Sequence, residues 1–450
     1  MLLLEKTKRV TNMPKNIKRV LIPISIILFA GCSSTISRDD EGLLQNNYQS
    51  GKFTDAAIIA EKALGFVDSE TGKMTDVRAT KVENALLHMN AAELQRLSGN
   101  KKRALAHYNV VDENLFQQLD NEVITTGYEP TPHEKVLTNF YKSISYWGSG
   151  DVDNARIEFN RANERTRLAV QRYEKMINKE KEKAEKKSSR LLSISRNTEI
   201  SQLTSDWEVF DDFTNPVVTY MSSLFLASQN GALDSTAKEY MERVQQMTKD
   251  SDIPASLFDL EDIEENKIWI IAETGQGPTL GEKRLDIPFT HKGKALILQM
   301  AFPEVEQAQN NVVLSNYTIN NKVIDFHNLT TMDKLVKTEL KKRWPGIIAS
   351  QAVQALGKAA IQYTAQKEGG ALGGFLALAA TSAITGADTT IWKMTPNEWN
   401  IAKFNNPNEG ELEIRYGNSI QTIEMPNKSA IIYLKQPNPN AKPLIEIIEI

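Results

Sequence analysis

A four-position pattern recurs through the first half of the chain and limits its fold more than any other feature. Gly51 is followed by Phe53, Ala56, Ala60 and Ala63, Gly99 by Ala104, Tyr108 and Val111, and Gly150 by Ala155, Phe159 and Ala162. A weaker copy reads Gly231, Ala237, Met241, Val244. In each copy a glycine able to take left-handed backbone precedes small or aromatic residues at helical spacing, so that they share one face. Small residues on that face let two helices approach closely, and each copy therefore predicts a helical hairpin whose second helix begins just after the glycine. The alanines at 56, 104, 155 and 237 lie 48, 51 and 82 residues apart. A uniform array keeps one period, so 46–250 reads as divergent hairpins with long helices and insertions.

The stretch 47–64 resembles the second half of a tetratricopeptide unit, in which glycine closes the turn, an aromatic follows, and small residues allow close packing. Gly51, Phe53 and Ala56, Gly99, Ala104 and Tyr108, and Gly150, Ala155 and Phe159 are the repeat-packing residues under this reading. Stacked hairpins of that kind form a concave surface that holds peptides or partner helices. A generic helical bundle, with glycine and alanine merely marking tight turns, is the alternative. Between the third and fourth copies, the run 178–187 alternates Glu and Lys and reads as a solvated helix end followed by a loop through Glu199. Asn215-Pro216 then marks a helix start.

At about residue 251 the patterning changes. Apolar, β-branched runs at 267–273, 283–289, 295–302 and 312–326, bounded by Gly, Pro and Asn-Asn, read as strands, with Asn320-Asn321 as a hairpin tip. Helical spacing returns over about 330–403, and strands close the chain over 411–450. The expected fold class is α+β and multidomain. Helical hairpins over 46–250 precede an α+β domain of mostly antiparallel strands over 251–450, with a helical insertion of small residues. Gly275-Gln276-Gly277-Pro278 follows a strand as a phosphate loop would. Pro278 removes a donor and no helix follows, so a hairpin turn is expected. Gly369, Gly370, Gly373 and Gly374 form two overlapping GxxxG spacings in a stretch that reads as a buried hairpin of small-residue helices. Membrane contact or self-association is the alternative there.

The N-terminal segment is a separate matter. Lys6, Lys8, Arg9, Lys15, Lys18 and Arg19 precede an apolar run of about ten residues, Val20 to Phe29. That is half of what a bilayer-crossing helix needs, about 20 residues, and it has the build of a secretory signal. Leu28-Phe29-Ala30-Gly31-Cys32 resembles the lipobox of bacterial lipoproteins, with Phe29 where leucine is usual. The resemblance implies cleavage after Gly31, lipid (palmitate among its chains) on Cys32, the only cysteine in the chain, and a polar tether over 32–45. Met13 is an alternative start. Ser33, in place of the aspartate that retains lipoproteins at the inner membrane, implies outer-membrane sorting and a periplasmic location. The chain carries a net charge of −4; residues 1–31 contribute six basic residues and Glu5, a net of +5, leaving −9 for the rest. Such an acidic protein makes a poor nucleic-acid binder, and with Cys32 lipidated no disulfide forms.

Asn215-Pro216, Tyr220, Leu224, the Gly275–Pro278 run, and Ala387-Asp388 through Trp392 to Pro396 resemble an uncharacterised family of Gram-negative periplasmic lipoproteins. That family joins tetratricopeptide-like helices to a β-rich part, and no reaction is attributed to it. Trp392 and Pro396 then read as packing and turn residues and Asp388 as a helix cap. His88, His107, His133, His291 and His327 show no metal-ligand spacing, and neither a serine elbow nor an SxxK motif occurs. Asp211-Asp212 and the acids of 259–265 read as surface charge. No catalytic, metal or cofactor residue is assigned. The expected function is a non-catalytic, outer-membrane-anchored scaffold or adaptor for protein partners of the cell envelope. Two alternatives are an oligomeric export or channel accessory, a homo-oligomer assembling through 369–386, and a cell-wall-acting enzyme.

Overall fold

The computed structural model describes residues 36–67, 71–117, 128, 130–187, 198–210, 215–307 and 311–450. Ala30, Gly31, Cys32, Ser33, the leader before them and Asp211-Asp212 lie outside the described residues. Among the described residues are ten α-helices and eleven strands, and the fold is α+β with helices first and strands after.

Each glycine of the recurring pattern closes a helical hairpin. Helices α1 (Arg38–Gln49) and α2 (Phe53–Ala63) turn at Gly51, and α3 (Ala85–Leu97) and α4 (Lys101–Asn109) at Gly99. Helices α5 (Pro132–Trp147) and α6 (Val152–Lys187) turn at Gly150. After the short α7 (Thr198–Gln202), α8 (Pro216–Asn230) and α9 (Ser235–Met247) turn at Gly231. At Gly51, Gly99 and Gly150, φ is 71°, 80° and 81°, a region costly for any residue with a Cβ. The residue after each glycine donates back across the turn, Lys52 to Asn47, Asn100 to Gln95 and Asp151 to Tyr146, at 2.8, 2.8 and 3.0 Å. This double closure of the helix end requires left-handed backbone at that position. Ala56, Ala104, Tyr108, Ala155 and Phe159 are all buried between the helices, as is Phe53.

Three details differ from expectation. The presumed tether is already helical from Arg38, because Ser37 accepts a hydrogen bond from the Asp40 amide and three acids occupy the first turn. The helical stretch expected over 330–403 ends as strand β7 (Glu398–Asn405), preceded in the chain by an unforeseen β6 (His327–Thr331). Gly275–Pro278 is not a hairpin turn. Strand β1 (Lys267–Thr274) and β2 (Thr279–His291) belong to different sheets, and the segment carries the chain between them.

The strands form three sheets. The central one has the order β11-β10-β1-β7-β6, with β10 (Ala430–Gln436) parallel to β1 and β11 (Leu444–Glu449) antiparallel to β10. Strand β1 is apolar without alternation because both its faces are covered. Trp269 and Ile271 face the helices, while Ile268, Ile270 and Ala272 face a second sheet. That sheet, ordered β5-β4-β8-β9, comprises β4 (Tyr317–Ile319), β5 (Lys322–Val323), β8 (Glu411–Tyr416) and β9 (Ser419–Glu424). Asn320 and Asn321 at φ 50° and 64° form the β4–β5 hairpin tip, as their sequence predicts. The third sheet pairs β2 with β3 (Lys294–Glu306), and its apolar face, with Leu298, Met300 and Phe302, lies under helix α10.

Helix α10 (Met332–Ala383) is two arms reversed at Gly370, whose φ of 62° and ψ of −154° are not helical. The arms run back to back: Lys358 donates to Thr385 at 2.8 Å and Gln362 to Thr381 at 3.3 Å. Gly373 permits this, since a Cβ there would lie 2.4 Å from the Ala365 carbonyl oxygen. Gly373→Ala is expected to cost about 1–3 kcal/mol. It should lower the melting temperature and accelerate amide exchange over 371–383. Gly369→Ala, with open space around it, should change neither.

Candidate functional site

The concave side that stacked hairpins would offer is covered by the chain's own central sheet. Helices α3 and α5 are buried along nearly their whole length, and β1, β10 and β11 press a row of charged and aromatic side chains onto them. Alternation along the strands chooses these residues. On β1 the helix-facing series runs Trp269, Ile271, Glu273; on β10 it runs Ile431, Tyr433, Lys435; on β11 it includes Glu446 and Ile448. Glu273 and Lys435 are register partners. The helices answer with Glu93 and Arg96, one turn apart on α3, Tyr108 of α4 and Tyr141 of α5.

The geometry is tight. Arg96 donates to both oxygens of Glu93 through Nε and Nη2 at 2.9 and 3.0 Å; Nη2 also lies 3.7 Å from Glu273, and Nη1 lies 3.6 Å from Glu446. The Arg96 guanidinium sits 4.6 Å from the centre of the Tyr141 ring. Lys435 Nζ is 2.8 Å from Glu93 and 3.1 Å from Glu273. Tyr108 donates to Glu93, and Trp399 of β7 donates its Nε1–H to Glu273, each at 2.7 Å. Lys101, at the edge, reaches Glu446 at 3.1 Å. Three carboxylates thus face three cations, and all but Lys101 are fully buried. Burial alone would push the Glu93 carboxyl up, but Arg96 and Lys435 overcome it and bring the pKa down to about 2. Burial, followed by the neighbouring carboxylates, raises Tyr108 and Tyr141 well above the phenol range, so both stay protonated. Charges so paired and enclosed hold one arrangement of the two halves; they present no atom to a substrate.

A second buried network ties the first two hairpins. His88 Nδ1 and His107 Nδ1 are 3.0 Å apart, sharing one hydrogen bond, and His107 Nε2 lies 3.0 Å from Glu61. Glu61 also binds Arg103 and accepts from Gln95, while Thr80 lies 2.9 Å from His88 Nε2. The two histidines lie on opposite arms of the hairpin that turns at Gly99, and its antiparallel arms bring them together. Burial, then the His107 charge, lowers His88 to about 3. A third set joins α5 to the α10 region: His133 binds Glu339, and Glu134 accepts from the Trp392 amide at 2.6 Å while closing the capping box with Thr131.

The residues singled out from sequence are placed as follows. Gly51, Gly99 and Gly150, with their partners, are structural and build the hairpins. Gly369 and Gly370 stand exposed at the α10 reversal. Gly373 and Gly374 face Ala365 and Gln366 of the opposite arm and are not a free assembly face. Trp392 is buried in ring contact with Tyr141. Asp388 accepts from the Thr390 amide in a local turn and caps no helix. Among the described residues no cluster of His, Cys, Asp or Glu suits a metal ion, and no helix is long and apolar enough to cross a membrane. A cleft of about 580 Å³ opens between the α8–α9 turn and the sheet, lined by Ser228, Gly231, Asn266, Asn427, Lys428 and Ile450 among others.

Lys435→Met leaves Glu93 and Glu273 short of a cation and is expected to cost about 3–5 kcal/mol. Adding Glu273→Gln should return part of that loss, so the double variant in urea unfolding is more stable than the sum of the singles predicts. The histidine pair sets an acid dependence. His88 is neutral when folded and binds a proton near pH 6.5 when unfolded, so it adds stability above pH 6.5 that fades as pH falls toward 3. Glu93 loses its contribution only between about pH 4.5 and 2. Between pH 6.5 and 4.5, His88→Phe should therefore reduce the slope of stability by up to about 1.4 kcal/mol per pH unit, measured by urea titrations across that range.

Compared with protein families, curated proteins and solved structures, the chain matches none of them.

Proposed function

We propose that this chain is a lipid-anchored lipoprotein of the Gram-negative outer membrane, facing the periplasm and serving as a non-catalytic scaffold for protein partners in the cell envelope. The observation that carries the reading is the N-terminal sequence. A basic segment and a short apolar run lead directly to Ala30-Gly31-Cys32-Ser33, and Cys32 is the single cysteine of the chain. Lipid chains on Cys32 contribute about 0.8 kcal/mol per buried methylene, enough for stable attachment when several chains are present. The fold supports a holding role, since its buried carboxylates and histidines are engaged with one another inside the protein. Partners on this reading meet the outer faces of the helices and the cleft beside Asn266 and Lys428, because the inner faces of α3 and α5 already hold the sheet.

Cys32→Ser should abolish incorporation of labelled palmitate and move the protein from the membrane to the soluble envelope fraction, with its melting temperature unchanged. Crosslinking in intact cells should recover discrete envelope proteins with the wild type. A soluble wild-type protein, or purified chain that hydrolyses cell-wall material, would refute the reading.

A further inference from the structure

The central sheet ends on one side in a strand whose outer edge the fold leaves open. Strand β11 stands last in the order, bonded to β10 alone. At the opposite end β6 lies against α8 and α10, whereas among the described residues no helix runs along β11. One hydrogen bond fixes the direction of its backbone groups. Ile450 donates to the Ser429 carbonyl at 2.9 Å, so Ile448, Glu446 and Leu444 occupy the inward-bonding positions of the antiparallel ladder. The residues between them, Ile445, Ile447 and Glu449, turn their N–H and C=O groups away from β10. Their side chains share the sheet face that looks away from the helices, where Ile447 and Glu449 are exposed. Open edges are ordinarily blunted by lysine, proline or a bulge. Strand β11 holds no lysine or proline, and its register with β10 is unbroken.

From this we infer that β11 takes an extended segment of a partner protein as an added strand. The segment places β-branched side chains beside Ile445 and Ile447 and a lysine or arginine beside Glu449. Backbone donors and acceptors alternating at strand spacing are matched by another strand, and a bilayer would leave them unbonded. Charge favours a foreign segment over a second β11. That strand contains no basic residue, so a second copy sets no cation opposite Glu449, while a basic residue across the strands pairs with it. The inference rests on the scaffold reading, to which it adds the class of partner. Its test needs no membrane, so its failure is told apart from a failure of the Cys32 anchor.

The purified full chain is titrated with a short fluorescent peptide of alternating valine and threonine that carries one lysine, and anisotropy is read. Saturable binding is expected, and the same peptide with N-methylated amides should not bind. Ile447→Pro removes an outward amide and leaves the β10 ladder whole, so it should weaken binding roughly tenfold with unchanged circular dichroism. Ile420→Pro is the comparison. Met425 donates to the Gly410 carbonyl, which turns the Ile420 amide outward on β9 at the edge of the second sheet, and this variant should bind as the wild type does. Glu449→Lys should weaken binding of the lysine peptide severalfold and strengthen binding of its glutamate counterpart. Absence of saturable binding, equal binding of the N-methylated peptide, or a loss with Ile420→Pro in place of Ile447→Pro overturns the inference. So does a wild-type dimer in sedimentation that Ile447→Pro dissociates, since β11 is then occupied by a second copy.

Discussion

The structure turns on a rule about burial: a charge leaves water only when its partners are already in place. Glu93, Arg96, Glu273, Lys435 and Glu446 have no exposed side-chain surface, and they come from α3, β1, β10 and β11. None of those elements can settle alone without stranding an ion in the interior. Folding of the helical hairpins and of the central sheet is coupled for that reason, although in sequence they read as separate domains of 46–250 and 251–450. The cluster also specifies register. Sliding β10 by one residue would turn Lys435 to the opposite face, leaving Glu93 and Glu273 with Arg96 as their only close cation. Apolar residues there could pack as tightly, but they would not penalise the slipped arrangement.

What could be read in advance, and what could not, follows from the range of each determinant. The hairpins were legible because a left-handed glycine and the helical face after it are local: Gly51, Gly99 and Gly150 each set a turn with their own neighbours. The weaker copy at Gly231 lacks the double closure of the others, its amide bonding only to Ala227, and its sequence match is poorer to the same degree. Strands β1, β10 and β11 were legible as apolar runs. Strand β7 was hidden because Asn400 and Lys403 interrupt its apolar residues; Asn400 is buried by hydrogen bonds to Thr274 and Asn328, which only the fold provides. The charge cluster was invisible because Glu93 and Lys435 are far apart in sequence. One trace existed: Glu273 and Lys435 each continue the helix-facing alternation of an apolar strand, where a charge must be buried. His88 and His107 left a similar trace, lying on the two arms of a hairpin already identified.

The covered inner face changes what the tetratricopeptide-like grammar can mean. In stacked hairpins the concave side is the binding surface. Here Tyr141 contacts Trp392, Phe140 contacts Tyr433, and Arg96 reaches β1 and β11. The partner held by the hairpins is the chain's own C-terminal half. The α10 hairpin is carried on the β2–β3 pair by a core of its own around Met300, Phe302 and Trp344. Gln351 and Gln362 of the first arm accept from the outward amides of Ala301 and Ile297. Strand β3 is thereby closed to further strand pairing, and Pro288, opposite Ile297 on β2, has no amide to offer at the other edge. With both edges blunted, the β2–β3 pair offers no open strand to another sheet.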